Sequence, residues 1–369
     1  MNSNIQTQVQ TYLDSLPDDI EIINVSHRNL HILPDLSRFT HLRHLYCNYN
    51  CLTSLPPLNP TLEKIICTNN RLTHLPELNK NLQDLICSNN QITVLPNFND
   101  NLETLECDNN EVIEIPALNE NLVTLKCAFN NIIKISKLND KLKSLDCSNN
   151  RLTSLPDLSV NMKSIFCSDN QLTSLPSLNR KLLWLYCHNN QLMHLPAFNE
   201  NLEIVSCSNN QLIELPILNE KLRSLFCDHN QLTILPKLND NLYNLFCNNN
   251  KLTNLPELNE TLDTLYCDQN RISSLPPLNE NLNYFNVRNN EICDIVHDDN
   301  INIVKANIRI LHKFKHLYHS LRYKKQLRKW LWERIREPRA MNRYSPEELA
   351  KLLDNDDDND ICSLVLHNW

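Results

Sequence analysis

Leu142-Lys-Ser-Leu145-Asp-Cys147-Ser-Asn-Asn150-Arg-Leu152-Thr-Ser-Leu155-Pro156-Asp-Leu158 is one turn of a motif that fills most of this chain. Its cysteine recurs at Cys47, Cys67, Cys87, Cys107, Cys127, Cys147, Cys167, Cys187, Cys207, Cys227, Cys247 and Cys267, an unbroken spacing of 20. A fixed period of about 20 to 50 residues marks stacked repeats and overrides element-by-element prediction. Upstream, Ile23, Val25 and Leu30 begin a unit two residues longer. Downstream, Phe285, Val287, Asn290, Ile292 and Ile295 form a degenerate last one, so the spacing predicts 14 coils.

Each column of the repeat has a physical role. Leu145, Cys147, Leu152, Leu155 and Leu158 are expected to point inward, where a coil buries them only against its neighbours. Cysteine is small and apolar enough for the crowded inner slot of a short strand. Asn150 and its equivalents are placed to satisfy orphaned backbone groups in the turn, one above another along the array. Pro156 fixes φ and lacks an N–H, so the return segment should be extended and polyproline-like. Twenty residues leave no room for a helix there.

Composition narrows the function classes. Apolar residues make up 41 % and charged residues 21 %, as in a packed protein, but glycine is absent. Phosphate-cradling loops of the Walker, Rossmann and kinase types need glycine and are excluded, as are glycine-dependent turns. Residues 1–30 show no basic region followed by an apolar one, and no apolar run approaches the roughly 18 residues of a membrane span. The expectation is an intracellular protein, neither secreted by that route nor transmembrane, whose thiols stay reduced.

The motif matches the leucine-rich-repeat pattern L-x-x-L-x-L-x-x-N-x-L, with cysteine in the third apolar position. At period 20 with a Leu-Pro step it resembles the short LPX-type subclass found in bacterial effectors. The asparagine-rich, glycine-free style more closely resembles the leucine-rich-repeat proteins of giant amoebal DNA viruses, and residues 329–346 resemble C-terminal segments of such viral proteins. The resemblance spans about residues 21–296. It implies a repeat solenoid: a right-handed superhelix, with a parallel β concave face, an extended convex side and a C-terminal α-helical cap. Some LPX effectors carry a large ubiquitin-ligase domain after the repeats, and only about 70 residues follow here. The expected divisions are an N-terminal cap (1–20), repeats (21–297), a basic helical cap (298–345) and a short helix with an acidic tail (346–369).

Strand alternation sends residue 146 and its equivalents to the concave face. That column includes Tyr46, Glu106, Lys126, Asp146, Phe166, Tyr186, Phe226, Phe246 and Tyr266, with Trp184 two positions before Tyr186 on the same face. Outward aromatic rings cost solvation without helping the core, and Tyr and Trp are enriched in binding hot spots. These seven aromatics are the candidate partner-binding residues. The alternative is that they stack only to stabilise the sheet.

Other chemistry finds little support. Zinc needs converging Cys/His pairs, whereas the ladder spreads its thiols along a line. In-register Cβ atoms about 4.8 Å apart are too far for a disulfide. Cys51, Cys293 and Cys362 stand outside the ladder, and Cys51 is expected in an exposed turn. His312, His316 and His319 share one helix face, and Asp354–Asp360 lacks the glycine and bidentate glutamate of a calcium loop. No metal, cofactor or Ser/His/Asp set is expected, and the reading is non-enzymatic.

From Ile301 apolar residues recur at helical spacing as far as Pro338. Residues 301–345 hold 13 Lys/Arg against two Glu, and residues 346–369 one Lys against seven acids. With a total of −8, residues 1–300 therefore carry −13. The basic stretch with Arg322, Lys324, Lys325, Arg328 and Lys329 reads as a cap with a solvated face. Alternatively it is a contact for nucleic acid or an anionic membrane. The leading expectation is a monomeric scaffold that binds a protein partner through its concave face.

Overall fold

The computed structural model describes residues 2–292, 301–313 and 329. The chain divides into two compact units, residues 1–305 and 306–369. In the first, fourteen three-residue strands run from β1 (Ile22–Asn24) through β7 (Ser144–Asp146) to β14 (Tyr284–Asn286) in one sheet, in sequence order. Every pairing is parallel and advances by one repeat: Ser144, Leu145 and Asp146 face Ser164, Ile165 and Phe166. This is a parallel β-solenoid. No return segment among the described residues is helical, and isolated bridges such as His74 to Val94 mark its extended course.

The core is built from four continuous columns. Leu142, Leu145, Cys147 and Leu152 are buried, as are their equivalents from coil to coil. Most return-side residues of the Leu155 column are buried as expected, among them Leu55, Leu95, Ile115, Ile135, Leu235 and Leu275. Leu155, Leu175, Leu195 and Leu215 in mid-array are half-buried, as is Leu158. There the extended return segment leaves one side of its leucine to solvent.

Asn150 does what its column requires. Its Nδ2 donates to the carbonyls of Cys127 (2.9 Å), Cys147 (3.1 Å) and Ser148 (3.1 Å), and its Oδ1 accepts from Ile132 N–H at 2.9 Å. Each amide thus staples two coils, and the same set recurs around Asn130 and Asn190. A second ladder, not anticipated from the sequence, lines the other turn. Asn139 Nδ2 donates to Asn119 O at 2.7 Å, and Asn199 to Asn179 O at 2.7 Å.

Positive-φ turns are present without glycine. Each coil has at least one residue in the left-handed region, among them Asn69, Asn89, Asn109, Asn149, Asn189, Asn209, Asn249 and Asn289, with φ between 52° and 58°. Asparagine tolerates this region because its short amide closes local hydrogen bonds, so it replaces glycine here. Phe129 (φ 52°) and Tyr49 (φ 54°) occupy the same column without that advantage, at a cost of about 1–2 kcal/mol each.

The N-terminal segment forms a helix, α1 (Asn2–Asp14), whose Val9 and Leu13 are buried. Arg38 closes its C-terminus, donating to the carbonyls of Leu13 (2.6 Å) and Leu16 (3.1 Å) while paired with Asp18 at 3.0 Å. A cation at that end also meets the helix dipole favourably. Residues 301–313 are helical, and the first unit includes 301–305. There Val304 and Lys305 are buried, and Lys305 Nζ donates to Glu280 O at 2.9 Å. In the second unit, residues 306–313 are helical and Lys329 is exposed. Arg322, Lys324, Lys325, Arg328, His316, His319, Cys293, Cys362 and the acidic stretch 354–360 lie outside the described residues.

Candidate binding face

The sheet face is set by strand alternation: in β7 Leu145 is buried while Ser144 and Asp146 are half-buried. Along the Asp146 column the side chains fall into four groups. Phe226 and Phe246 stack with centroids 4.9 Å apart, and Phe246 and Tyr266 at 4.9 Å with planes 10° apart. Phe166 and Tyr186 form a separate stack, also at 4.9 Å. This interval equals the spacing between strands, about 4.8 Å, so parallel register alone produces the stacks. Trp184 is 40 % exposed beside the shorter stack, and its register neighbours Ser164 and Ile204 carry no ring. Tyr46 is half-buried at the other end, followed in its column by Ile66 and Ile86.

Charge occupies the middle of the column. Lys126 Nζ lies 2.8 Å from Glu106 Oε1, and that hydrogen bond raises the lysine's pKa. Lys64 and Asp84 pair similarly at 2.9 Å. Beside them, burial pushes the Asp108 carboxyl up to about 6. The N–H of Ala128, 2.8 Å away, opposes the shift, and Asp146 and Glu106 add to it. The folded state therefore holds this proton more tightly than the unfolded chain. Stability contributed by Asp108 is greatest below its ordinary pKa near 3.8 and is lost as pH rises through about 6. We expect Asp108→Asn to raise stability near pH 7.5 by on the order of 1 kcal/mol. That is discounted from about 1.4 kcal/mol per pKa unit because the group keeps part of its hydration. Paired thermal melts should show the gain disappearing below about pH 4.

Sequence reasoning placed no Ser/His/Asp set, but the structure brings one together. Nδ1 of His188 lies 2.8 Å from Ser168 Oγ and 3.2 Å from Ser206 Oγ, while its Nε2 is 3.7 Å from Asp169. Both hydroxyls share one ring nitrogen, and the serines are only 3 % and 8 % exposed. The cluster ties neighbouring coils together and gives an incoming carbonyl little access to either oxygen. The column after the strand holds two of its members, Ser168 and His188, one coil apart; Ser206 and Asp169 come from other columns.

The ladder thiols line the opposite, inner side. All twelve are buried and free of disulfides, whereas Cys51 is half-buried rather than exposed. Burial pushes Cys47 up to about 12 and raises the other eleven as well. Some donate weakly to a strand carbonyl, as Cys167 Sγ does to Tyr186 O at 3.3 Å. Among the described residues no group of three His, Cys, Asp or Glu could hold a metal ion, and no helix is long and apolar enough to cross a membrane. On the return side, a groove of about 590 Å³ not anticipated from the sequence runs over Phe198, Pro216 and Ile217.

This geometry defines a cysteine-laddered repeat solenoid with a sheet face open to contact. Among solved structures the chain is similar to YopM, a leucine-rich effector protein from Yersinia pestis. The match has 30 % identity and a TM-score of 0.64 over 73 % of this chain and 83 % of that one. It is also similar to the functional domain of InlJ from Listeria monocytogenes, which includes a cysteine ladder, at 26 % identity and TM-score 0.59 over 70 % and 65 % of the two chains. A leucine-rich-repeat protein of Leptospira interrogans, 24 % identical with TM-score 0.56 over 77 % and 93 %, shares the fold. The chain belongs to the leucine-rich-repeat proteins. No protein-family model and no curated relative matches the sequence.

Proposed function

We propose that this protein is a non-enzymatic scaffold that binds another protein through its sheet face, centred on the two aromatic stacks. The observation that carries the reading is the row Phe226, Phe246 and Tyr266, half-buried and stacked outside a core that is already closed by leucine and cysteine. Rings in that position add little to the core and present rigid, apolar area at small entropic cost, the qualities of a contact surface. Its similarity to YopM, a leucine-rich effector, agrees with an effector-like role. The likeness of the repeats to those of giant amoebal viruses makes intracellular host proteins the expected partners. The acting unit is a monomer.

The competing reading, an adaptor that holds nucleic acid or anionic membrane through its basic helix, predicts different salt behaviour. Phosphate contacts release counterions and weaken steeply with salt; an aromatic contact responds little. Capture of the partner by the intact chain at low and at moderate salt, repeated with residues 301–369 deleted, separates the two. The scaffold reading expects retention under all four conditions. Loss with salt or with the deletion contradicts it.

A further inference from the structure

The return side of the coils changes character in mid-array. The residue after the buried turn leucine is threonine in most coils, as at Thr153 and Thr173, and becomes Met193 and Ile213 in two consecutive ones. Four residues further on, a column that reads Asp157, Ser177, Ala197 turns to Ile217 and then to Lys237. Met193 is 53 % exposed and Ile217 86 %, the highest value of any large apolar side chain among the described residues. Here lies the groove of about 590 Å³, with Leu195, Phe198, Leu215 and Pro216 in its walls. All four are half-buried, whereas Leu235 and Leu238, at matching positions of the following coil, are buried. Clefts of about 300–1,000 Å³ with apolar walls and a few polar groups are the usual form of a binding site.

The charge at the groove has one sign. Glu200, Glu214 and His194 are its titratable lining residues, and no Lys or Arg is among them. Glu214 and His194 stand 3.7 Å apart with both side chains exposed, a weak pairing that leaves the carboxylate open to another cation. Lys221, in the turn beyond, is engaged by Asn201 Oδ1 at 2.6 Å. The two acids mark opposite ends of the return segment, since Glu214 opens one and Glu200 follows the close of the other. Six residues of extended chain separate those two positions in the repeat, roughly 19 Å at most.

We propose that this groove binds a short, extended segment of a protein partner that carries a cation at each end and aliphatic residues between. It is a second contact surface, on the return side of the coils and independent of the aromatic stacks. Pro196 and Pro216 keep both return segments extended, a course that an extended chain can follow. Its aliphatic side chains take Ile213, Ile217 and Phe198 out of water, while its cations meet Glu200 and Glu214. An acidic segment, or an anionic membrane, would set like charge against both carboxylates. The −13 carried by residues 1–300 adds a long-range preference for a basic partner.

The test titrates the full chain, isotope-labelled at its isoleucine methyls, with acetyl-Lys-Leu-Pro-Ile-Leu-Lys-amide. Two control peptides replace either both lysines by glutamate or the three aliphatic residues by serine. In NMR spectra the Ile213 and Ile217 methyls should shift, while those of Ile113 and Ile133, exposed elsewhere on the return side, stay in place. The first peptide should bind at least about tenfold more tightly than either control. Ile217→Ser should weaken it by a similar factor, as should Glu200→Gln combined with Glu214→Gln. All three residues are exposed, so circular dichroism and the melting temperature should not change. Equal binding of the three peptides, or shifts spread over every exposed isoleucine, overturns the proposal. Movement of the same methyls on concentrating the protein alone overturns it in favour of a second copy of the chain. Movement with phosphatidylserine vesicles but not with the peptide overturns it in favour of a membrane.

Discussion

Asn150→Ala should destabilise the solenoid by about 3 kcal/mol, an effect out of proportion to the three heavy atoms removed. The Ile132 N–H, which donates to Asn150 Oδ1 at 2.9 Å within the core, is left with no acceptor. An orphaned buried donor costs about 1–3 kcal/mol, and the lost amide bonds add to this. The carbonyls fare better. Cys147 O still receives Asn170 Nδ2 at 3.0 Å, and Cys127 O keeps Asn130 Nδ2 at 3.2 Å. Asn150→Asp should be worse near neutral pH, because it sets a carboxylate against the Cys127 and Cys147 carbonyls that the amide now serves. Since each coil is held only by its neighbours, a break in mid-array should also lower cooperativity. Urea unfolding followed by circular dichroism reads both effects; a loss under about 1 kcal/mol would show the ladder to be dispensable.

The second large effect concerns binding. Replacing Phe226, Phe246 and Tyr266 together by serine should weaken a captured partner's affinity by about a hundredfold or more, as expected when clustered aromatic anchors are removed. Stability should hardly change. The three rings form two stacked pairs, each worth roughly 0.2–1 kcal/mol to the sheet, while Leu225, Leu245 and Leu265 beneath them stay buried. Titration calorimetry on the variant, with circular dichroism as the control for folding, separates contact from scaffold. Unchanged affinity would reduce the rings to sheet stacking.

Much of this architecture is legible in the sequence because period and alternation are enough to define it. The spacing from Cys47 to Cys267 fixes the register, and a two-residue period then sends Leu145 and Cys147 inward and Asp146 outward. The Asn150 ladder follows from asking where the turn's backbone groups find partners. What stayed hidden depends on geometry that no period encodes. The left-handed turns at Asn149 and its equivalents leave no glycine in the sequence to mark them, because asparagine fills that role. The half-burial of Leu155 reflects how closely an extended return segment approaches the coil. Asp108 is written as one acid among many, and its raised pKa follows from burial, first of all, and from the neighbouring Asp146 and Glu106. The His188 cluster joins residues from separate coils whose side chains meet only once the register is known.

The central claim is that each coil hides its cysteine by leaning on the coils beside it while the rings face outward. Timed thiol alkylation of the native protein, read peptide by peptide by mass spectrometry, tests this most directly. Cys47 through Cys267 should stay unmodified until the chain is denatured, since burial denies both access and the thiolate form, while half-buried Cys51 reacts first. Alkylation of the ladder thiols in the native protein as fast as Cys51 would put the sulfurs outside, and the rings within.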